Sequence, residues 1–127
     1  MRFLLDTSVL IGADEHPGTF EAAISAASLA ELHFGALLAT TDDERARRVS
    51  RLGVIEATID PLPIDARVAR EWGRLAAAVA HRGGRPRRRT MDLAIAATAN
   101  AHGVALLTHD LGDFRIIDDL VDVRPLQ

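Results

Sequence analysis

The stretch FLLDTSVL, Phe3 to Leu10, poses the question on which the fold turns. Arg2 to Leu5 reads as a short buried β-strand, apolar on both faces as strands of a parallel sheet are. A carboxylate and two hydroxyls follow at once, before the chain turns apolar again. Either Asp6 or Thr7 caps a helix running from about Ser8 to Asp14, or Asp6 is a ligand carried to the strand's carboxyl end. Ser8 is read as the start of that helix, and His16-Pro17-Gly18 as its breaker.

Beyond this stretch, short apolar runs alternate with helical patterns. Ala23 to Ser25 is a second short run. Ser28 with Glu31 three residues later matches a capping box, opening a helix through about Ala39. A further helix, rich in Arg, spans about Asp43 to Gly53, and Thr58 to Leu62 is strand-like, ended by Pro61 and Pro63. Asp65 caps a long helix to His81 with Val68, Trp72, Leu75 and Val79 on one face. The segment from Gly83 to Arg89 reads as a basic loop. Asp92 to His102 forms an Ala-rich helix that Gly103 stops. Val104 to Thr108 is the next strand, and an acidic turn follows it. Ile116-Ile117 and Val121 to Leu126 supply terminal strands. Strands alternating with helices predict an α/β fold with a mostly parallel sheet, in a single domain spanning residues 1–127.

Composition narrows the chemistry. Cysteine is absent, which excludes disulfides and thiolate metal sites. No window approaches the ~20 apolar residues of a membrane span, so the expectation is a soluble, cytoplasmic protein with no membrane partner. The net charge is -3, giving no global attraction to nucleic acid. All fifteen basic residues are nevertheless Arg, and two runs stand out: Arg45, Arg47 and Arg48, then Arg85, Arg87, Arg88 and Arg89. Local runs of this kind can hold phosphate. Neither G-x-G-x-x-G nor a P-loop occurs, nor G-x-S-x-G, nor H-E-x-x-H. A phospho-accepting receiver domain needs a Lys that the chain lacks.

The remaining chemistry is acidic. Asp6 follows the first strand and Asp110 follows the strand ending at Thr108, and ligands of open parallel sheets bind outside the carboxyl ends of strands. Asp92 and Glu31 fall in first turns of helices that can face the same edge. Taken singly, each acid has a structural explanation: Asp6 as a cap, Glu31 in a capping box, Asp92 complementing a helix dipole, Asp110 and Asp113 in a turn. Taken together, four carboxylates on one edge repel one another, and a divalent cation relieves that cost. Oxygen donors suit Mg2+ or Mn2+.

Four segments in this order, FLLDTSVLIG, SLAELHFGA, MDLAIAATANAHG and LLTHDLGDF, resemble the PIN-domain ribonucleases, and among them the VapC toxins of bacterial toxin–antitoxin modules. The resemblance spans essentially the whole chain. It implies an α/β/α sandwich around a central, mostly parallel, twisted sheet, and a metal-dependent endoribonuclease that leaves a 5′-phosphate and a 3′-hydroxyl. Carried over by position, the catalytic acids are Asp6, Glu31, Asp92 and Asp110, with Asp113 as the second choice for the fourth. Mg2+, or Mn2+ in its place, would be held by Asp6, Asp92 and Asp110. Thr7 and Thr108 match supporting hydroxyls, and Arg85, Arg87, Arg88 and Arg89 are well placed to hold RNA. The resemblance further implies a VapB-like antitoxin, seated on helices around Leu29 to Leu38, and a homodimer. A housekeeping RNA-processing nuclease of the same fold is the near alternative, and a non-catalytic binding protein the distant one.

Overall fold

The computed structural model describes residues 2–12 and 21–126. Its elements are β1 (Arg2–Leu5), α1 (Thr7–Gly12), β2 (Glu21–Ser25), α2 (Ala26–Leu37), α3 (Asp42–Thr58), β3 (Pro61–Leu62), α4 (Ala66–His81), α5 (Thr90–Ala101), β4 (Ala105–Thr108) and β5 (Val123–Pro125). Two 3-10 segments, Pro86–Arg89 and Leu111–Ile117, precede α5 and follow β4 respectively. The proposed helix breaker at residues 16–18, and Asp14 before it, lie outside the described residues.

β1 is the central strand. The sheet order is β3-β2-β1-β4-β5, and all four pairings are parallel. The chain therefore builds one half of the sheet outward from β1 through β2 and β3, then returns to β1's other edge to lay down β4 and β5. Such a reversal opens a crevice at the carboxyl ends of the two strands that flank it. Those strands are β1 and β4, with Leu5 facing Leu107 in register.

Alternation along the strands feeds two cores. Leu4, Ala23 and Leu106 pack with Val68, Leu75 and Val79 of α4 and with Leu93 to Ala97 of α5. Their chain neighbours Leu5, Ile24 and Leu107 pack on the opposite face with Val9 and Leu10 of α1 and Ile55 of α3. The result is the expected α/β/α sandwich. The helical face predicted for α4 is the one buried: Val68, Leu75 and Val79 are each 0% exposed, worth roughly 1.5–3 kcal/mol apiece. Asp65 caps that helix as predicted, accepting a hydrogen bond from the Val68 N–H at 3.0 Å.

Several local expectations are corrected. α2 begins at Ala26, capped by Ser25, whose hydroxyl accepts from the Ala27 N–H at 3.1 Å; Ser28 and Glu31 therefore lie inside the helix and form no capping box. α1 begins at Thr7, not Ser8. α3 runs on to Thr58, leaving β3 only Pro61 and Leu62, and Pro61 is tolerated in this short end strand. Pro86 to Arg89 winds into a 3-10 turn with Pro at its start, where a missing N–H costs nothing. Ile116 and Ile117 close the second 3-10 segment and form no strand; Ile117 is buried in the core.

Candidate active site

Asp6 sits directly past β1, and its backbone N–H donates to Leu107 O at 2.9 Å, continuing the ladder toward β4. The residue is 5% exposed. A buried carboxylate needs hydrogen-bond donors, and two hydroxyls supply them. Thr108 Oγ1 donates to Asp6 Oδ2 at 2.7 Å and Ser8 Oγ donates to the same oxygen at 2.9 Å. Thr108 is the last residue of β4, so this bond joins the two strands across the crevice. Both hydroxyls are themselves held: Thr108 Oγ1 accepts from the Asp110 N–H at 2.9 Å, and Ser8 Oγ from the His109 N–H at 3.2 Å. Oδ2 is thereby saturated, which leaves Oδ1 as the oxygen for a ligand.

Glu31 is held in the same manner. Thr7 Oγ1 donates to Glu31 Oε1 at 2.7 Å and lies 3.1 Å from Ser28 Oγ. Because α1 starts at Thr7, adjacent helical positions point about 100° apart, and the two hydroxyls of D-T-S serve different acids. Thr7 turns to α2 and Glu31, while Ser8 turns back to Asp6. The role of Ser8 is not apparent from sequence spacing; the signal was the paired hydroxyls after the acid. Freed from any cap, Glu31 has one engaged oxygen and one available.

Asp92 occupies the first turn of α5. A helix N-terminus favours an ionised acid, yet the Asp92 carboxyl is pushed up to about 6. Burial is the largest cause, followed by the negative charges of Asp6, Asp113 and Glu31, with Arg89 opposing. Asp6 and Glu31, predicted from two other segments, thus both act on Asp92. Of the two acids after β4, Asp113 is a leading contributor to this field. The backbone N–H of Asp110 is tied to Thr108, and the 3-10 segment carries the chain onward to Asp113.

The donor set fits a hard divalent cation: carboxylate and hydroxyl oxygens with no sulfur, and a local excess of negative charge recorded in the raised Asp92. Among the described residues no three His, Asp or Glu side chains close tightly enough to enclose an ion as they stand.

The two arginine runs differ in kind. Arg45 pairs with Asp42 at 3.2 Å, and Arg47 and Arg48 both pair with Glu44; that run is neutralised along its own helix. Arg85, Arg87 and Arg88 are exposed, and with Arg89 they form no ion pair among the described residues. Arg89 is half-buried and donates from Nη1 to Asp113 O at 2.6 Å.

A parallel sheet with acids gathered at its switch point is suited to metal-assisted chemistry on a phosphodiester, and comparison with known proteins identifies the class. The PIN-domain family matches residues 3–120. Ribonuclease VapC5 of Mycobacterium tuberculosis is 37% identical over an alignment covering 95% of this chain and 91% of that protein. The crystal structure of VapBC-5 from the same organism superposes with a TM-score of 0.82 at 35% identity, covering 99% of this chain and 98% of the other. VapBC2 from Rickettsia felis, solved bound to a DNA fragment from its promoter, shares the fold with a TM-score of 0.82 at 22% identity over the full length of both chains. The chain belongs to the PIN-domain family, in its VapC branch of the VapBC toxin–antitoxin systems, and has the VapC-like function of an RNA-targeting toxin enzyme. Family membership carries with it nuclease activity that depends on a divalent metal.

Proposed function

We propose that the chain is an endoribonuclease whose Asp6, Asp92 and Asp113 hold Mg2+, or Mn2+ in its place, with Glu31 alongside. The observation that carries this reading is the gathering of acids at the sheet's switch point, with Asp6 held by Thr108, Glu31 held by Thr7, and Asp92 feeling the charges of Asp6, Asp113 and Glu31. Asp113 is given the fourth place on the support of its charge acting on Asp92, and Asp110, the acid favoured from the sequence, is its competitor in the test below. Asp110 then helps through its backbone, holding Thr108 and through it Asp6.

Bound there, the cation would polarise the phosphodiester and make water acidic enough to attack near neutral pH. The chain's own groups do the rest. Thr108 and Ser8 fix Asp6 through Oδ2, leaving Oδ1 for the cation, and Thr7 fixes Glu31 at Oε1. Glu31 Oε2 is left to take the proton from the attacking water. The P–O3′ bond breaks as the P–O bond to water forms, and the 3′ oxygen takes a proton from solvent. The unpaired Arg85, Arg87 and Arg88 hold phosphates of the RNA outside the acids.

A VapB-like antitoxin is proposed as the partner, supported by the relatives solved as VapBC complexes and by the apolar residues that α2 presents: Phe34, Leu37 and its cap Leu38 are 64%, 75% and 60% exposed. A homodimer is proposed on family grounds. No helix among the described residues is long and apolar enough to cross a membrane.

The test is cleavage of structured RNA by purified protein with Mg2+ or Mn2+, with and without EDTA, beside Asp6→Asn and separate Asp110→Asn and Asp113→Asn variants. The reading expects EDTA-sensitive cleavage, lost in Asp6→Asn and in Asp113→Asn, with Asp110→Asn less affected. Cleavage that persists in EDTA, or full activity in Asp6→Asn, would sink it.

A further inference from the structure

The four arginines of the segment before α5 are not equivalent. Arg85, Arg87 and Arg88 are exposed, whereas Arg89 is half-buried at the N-cap of α5, three residues from Asp92. Its Nη1 is held by Asp113 O at 2.6 Å. That partner is a neutral carbonyl, so the positive charge is anchored without being cancelled by a contacting carboxylate. Several other arginines are spent on carboxylates: Arg82 makes a two-pronged pair with Asp119, and Arg124 pairs with Asp122. An anchored cation with no carboxylate of its own, beside a group of acids, has its charge and its remaining N–H donors available for an incoming anion.

We propose that Arg89 contacts the phosphate that is cut, donating from its free N–H groups to a non-bridging oxygen, while Arg85, Arg87 and Arg88 hold phosphates further along the strand. The assignment rests on the ribonuclease reading above and adds a division of labour to it. Two physical arguments support it. A phosphate entering a site of four carboxylates is repelled, and a fixed guanidinium at the rim offsets that repulsion where it is greatest. The bond to Asp113 also fixes the side chain before substrate arrives, so little rotamer freedom is lost on binding, and the planar fork suits a phosphate better than an ammonium does.

A staple that merely fixed the Asp113 turn to α5 would make the same hydrogen bond, so the variants must separate the two roles. In Arg89→Lys the ammonium can still donate to the single carbonyl of Asp113 but cannot also present a fork to phosphate. Arg89→Lys, Arg89→Met and Arg87→Met would be compared by three measurements. These are melting temperature, steady-state cleavage of a fluorogenic RNA oligonucleotide with Mg2+, and binding of the same oligonucleotide in EDTA by fluorescence anisotropy across a salt series. Loss of a preorganised donor to developing charge costs on the order of 10²–10³-fold in kcat. Both Arg89 variants are expected to lose about that much in kcat with a smaller rise in KM, Arg89→Lys keeping the melting temperature of the unmodified protein. Arg87→Met is expected to raise KM and leave kcat nearly intact. In the binding arm, Arg89→Met should flatten the log–log salt slope by about 0.7, the value for one single-strand phosphate contact.

Recovery of both melting temperature and kcat in Arg89→Lys would overturn the proposal in favour of a staple, and so would an unchanged salt slope in Arg89→Met. An unmodified protein that binds RNA with the expected slope change but cleaves none would overturn the ribonuclease reading while leaving the phosphate contact of Arg89 supported.

Discussion

Replacing Asp92 by Asn in the metal-free protein should make the fold more stable, although the residue is proposed to serve catalysis. The Asp92 carboxyl is raised from 3.8 to about 6 by burial and by the charges of Asp6, Asp113 and Glu31. At about 1.36 kcal/mol per pH unit this is roughly 3 kcal/mol of penalty on the ionised form. Asp92 is only partly buried, and solvent screening brings the figure to on the order of 1–2 kcal/mol. The sign follows from proton linkage. Above about pH 6 both folded and unfolded states carry the ionised acid, and the folded state bears the whole penalty. As pH falls through about 6 the folded state takes up a proton that the unfolded state does not, and the penalty shrinks. Well below 3.8 both are protonated and it is gone. Asn keeps the shape and never ionises, so its advantage should be full near pH 7.5, roughly half near pH 5, and about a fifth near pH 4. For a chain of this size ~1 kcal/mol moves Tm by about 4 °C. The expected gain in EDTA is therefore roughly 4–8 °C near pH 7.5, read by thermal melts of the two proteins across that pH range. Added Mg2+ should then raise the Tm of the unmodified protein more than that of the variant, because a ligand stabilises the state that binds it. A destabilised Asp92→Asn, or an advantage that does not change with pH, would refute the electrostatic account of the site.

Other outcomes can be checked with the same melts and with urea titrations. Thr108→Val keeps the buried shape but removes the 2.7 Å donor to Asp6 Oδ2 and the acceptor for the Asp110 N–H; leaving such groups unpaired costs ~1–3 kcal/mol, with an equal fall in unfolding free energy and reduced cleavage. Ser25→Ala removes the N-cap of α2 and the 2.9 Å contact to Thr98 Oγ1. A loss of about 2 kcal/mol and a drop of roughly 8 °C in Tm are expected, while Ser28→Ala, which removes no cap, should cost less.

How far the sequence leads differs from element to element. The α4 face and its Asp65 cap were legible because both are local: an apolar repeat of helical period, and an acid one residue before it. The start of α2 was misplaced because S-x-x-E describes Ser28 and Glu31 as well as a genuine cap would, and only the backbone shows that the helix is already under way at Ala26. Ile116 and Ile117 have strand-like side chains, yet a 3-10 segment buries them equally well. The choice between Asp110 and Asp113 could not be made from T-H-D-L-G-D-F, since both acids fall within reach of a strand end.

Taken alone, the order of residues determined the alternation of strands and helices, the delivery of Asp6 and Thr108 to strand ends, and the positions of Glu31 and Asp92 early in helices. These follow from short-range periodicity and capping, which neighbouring residues decide, except that Glu31 falls in the second turn of α2 and not in its first. Only the tertiary structure decided which hydroxyl serves which acid, which arginine run is neutralised, and that the charge of Asp113 reaches Asp92. The bond from Thr108 to Asp6 spans 102 positions of chain and exists because β1 and β4 lie side by side at the reversal of the sheet. FLLDTSVL contains the acid, but the strand that holds its carboxylate in place comes from the far end of the chain.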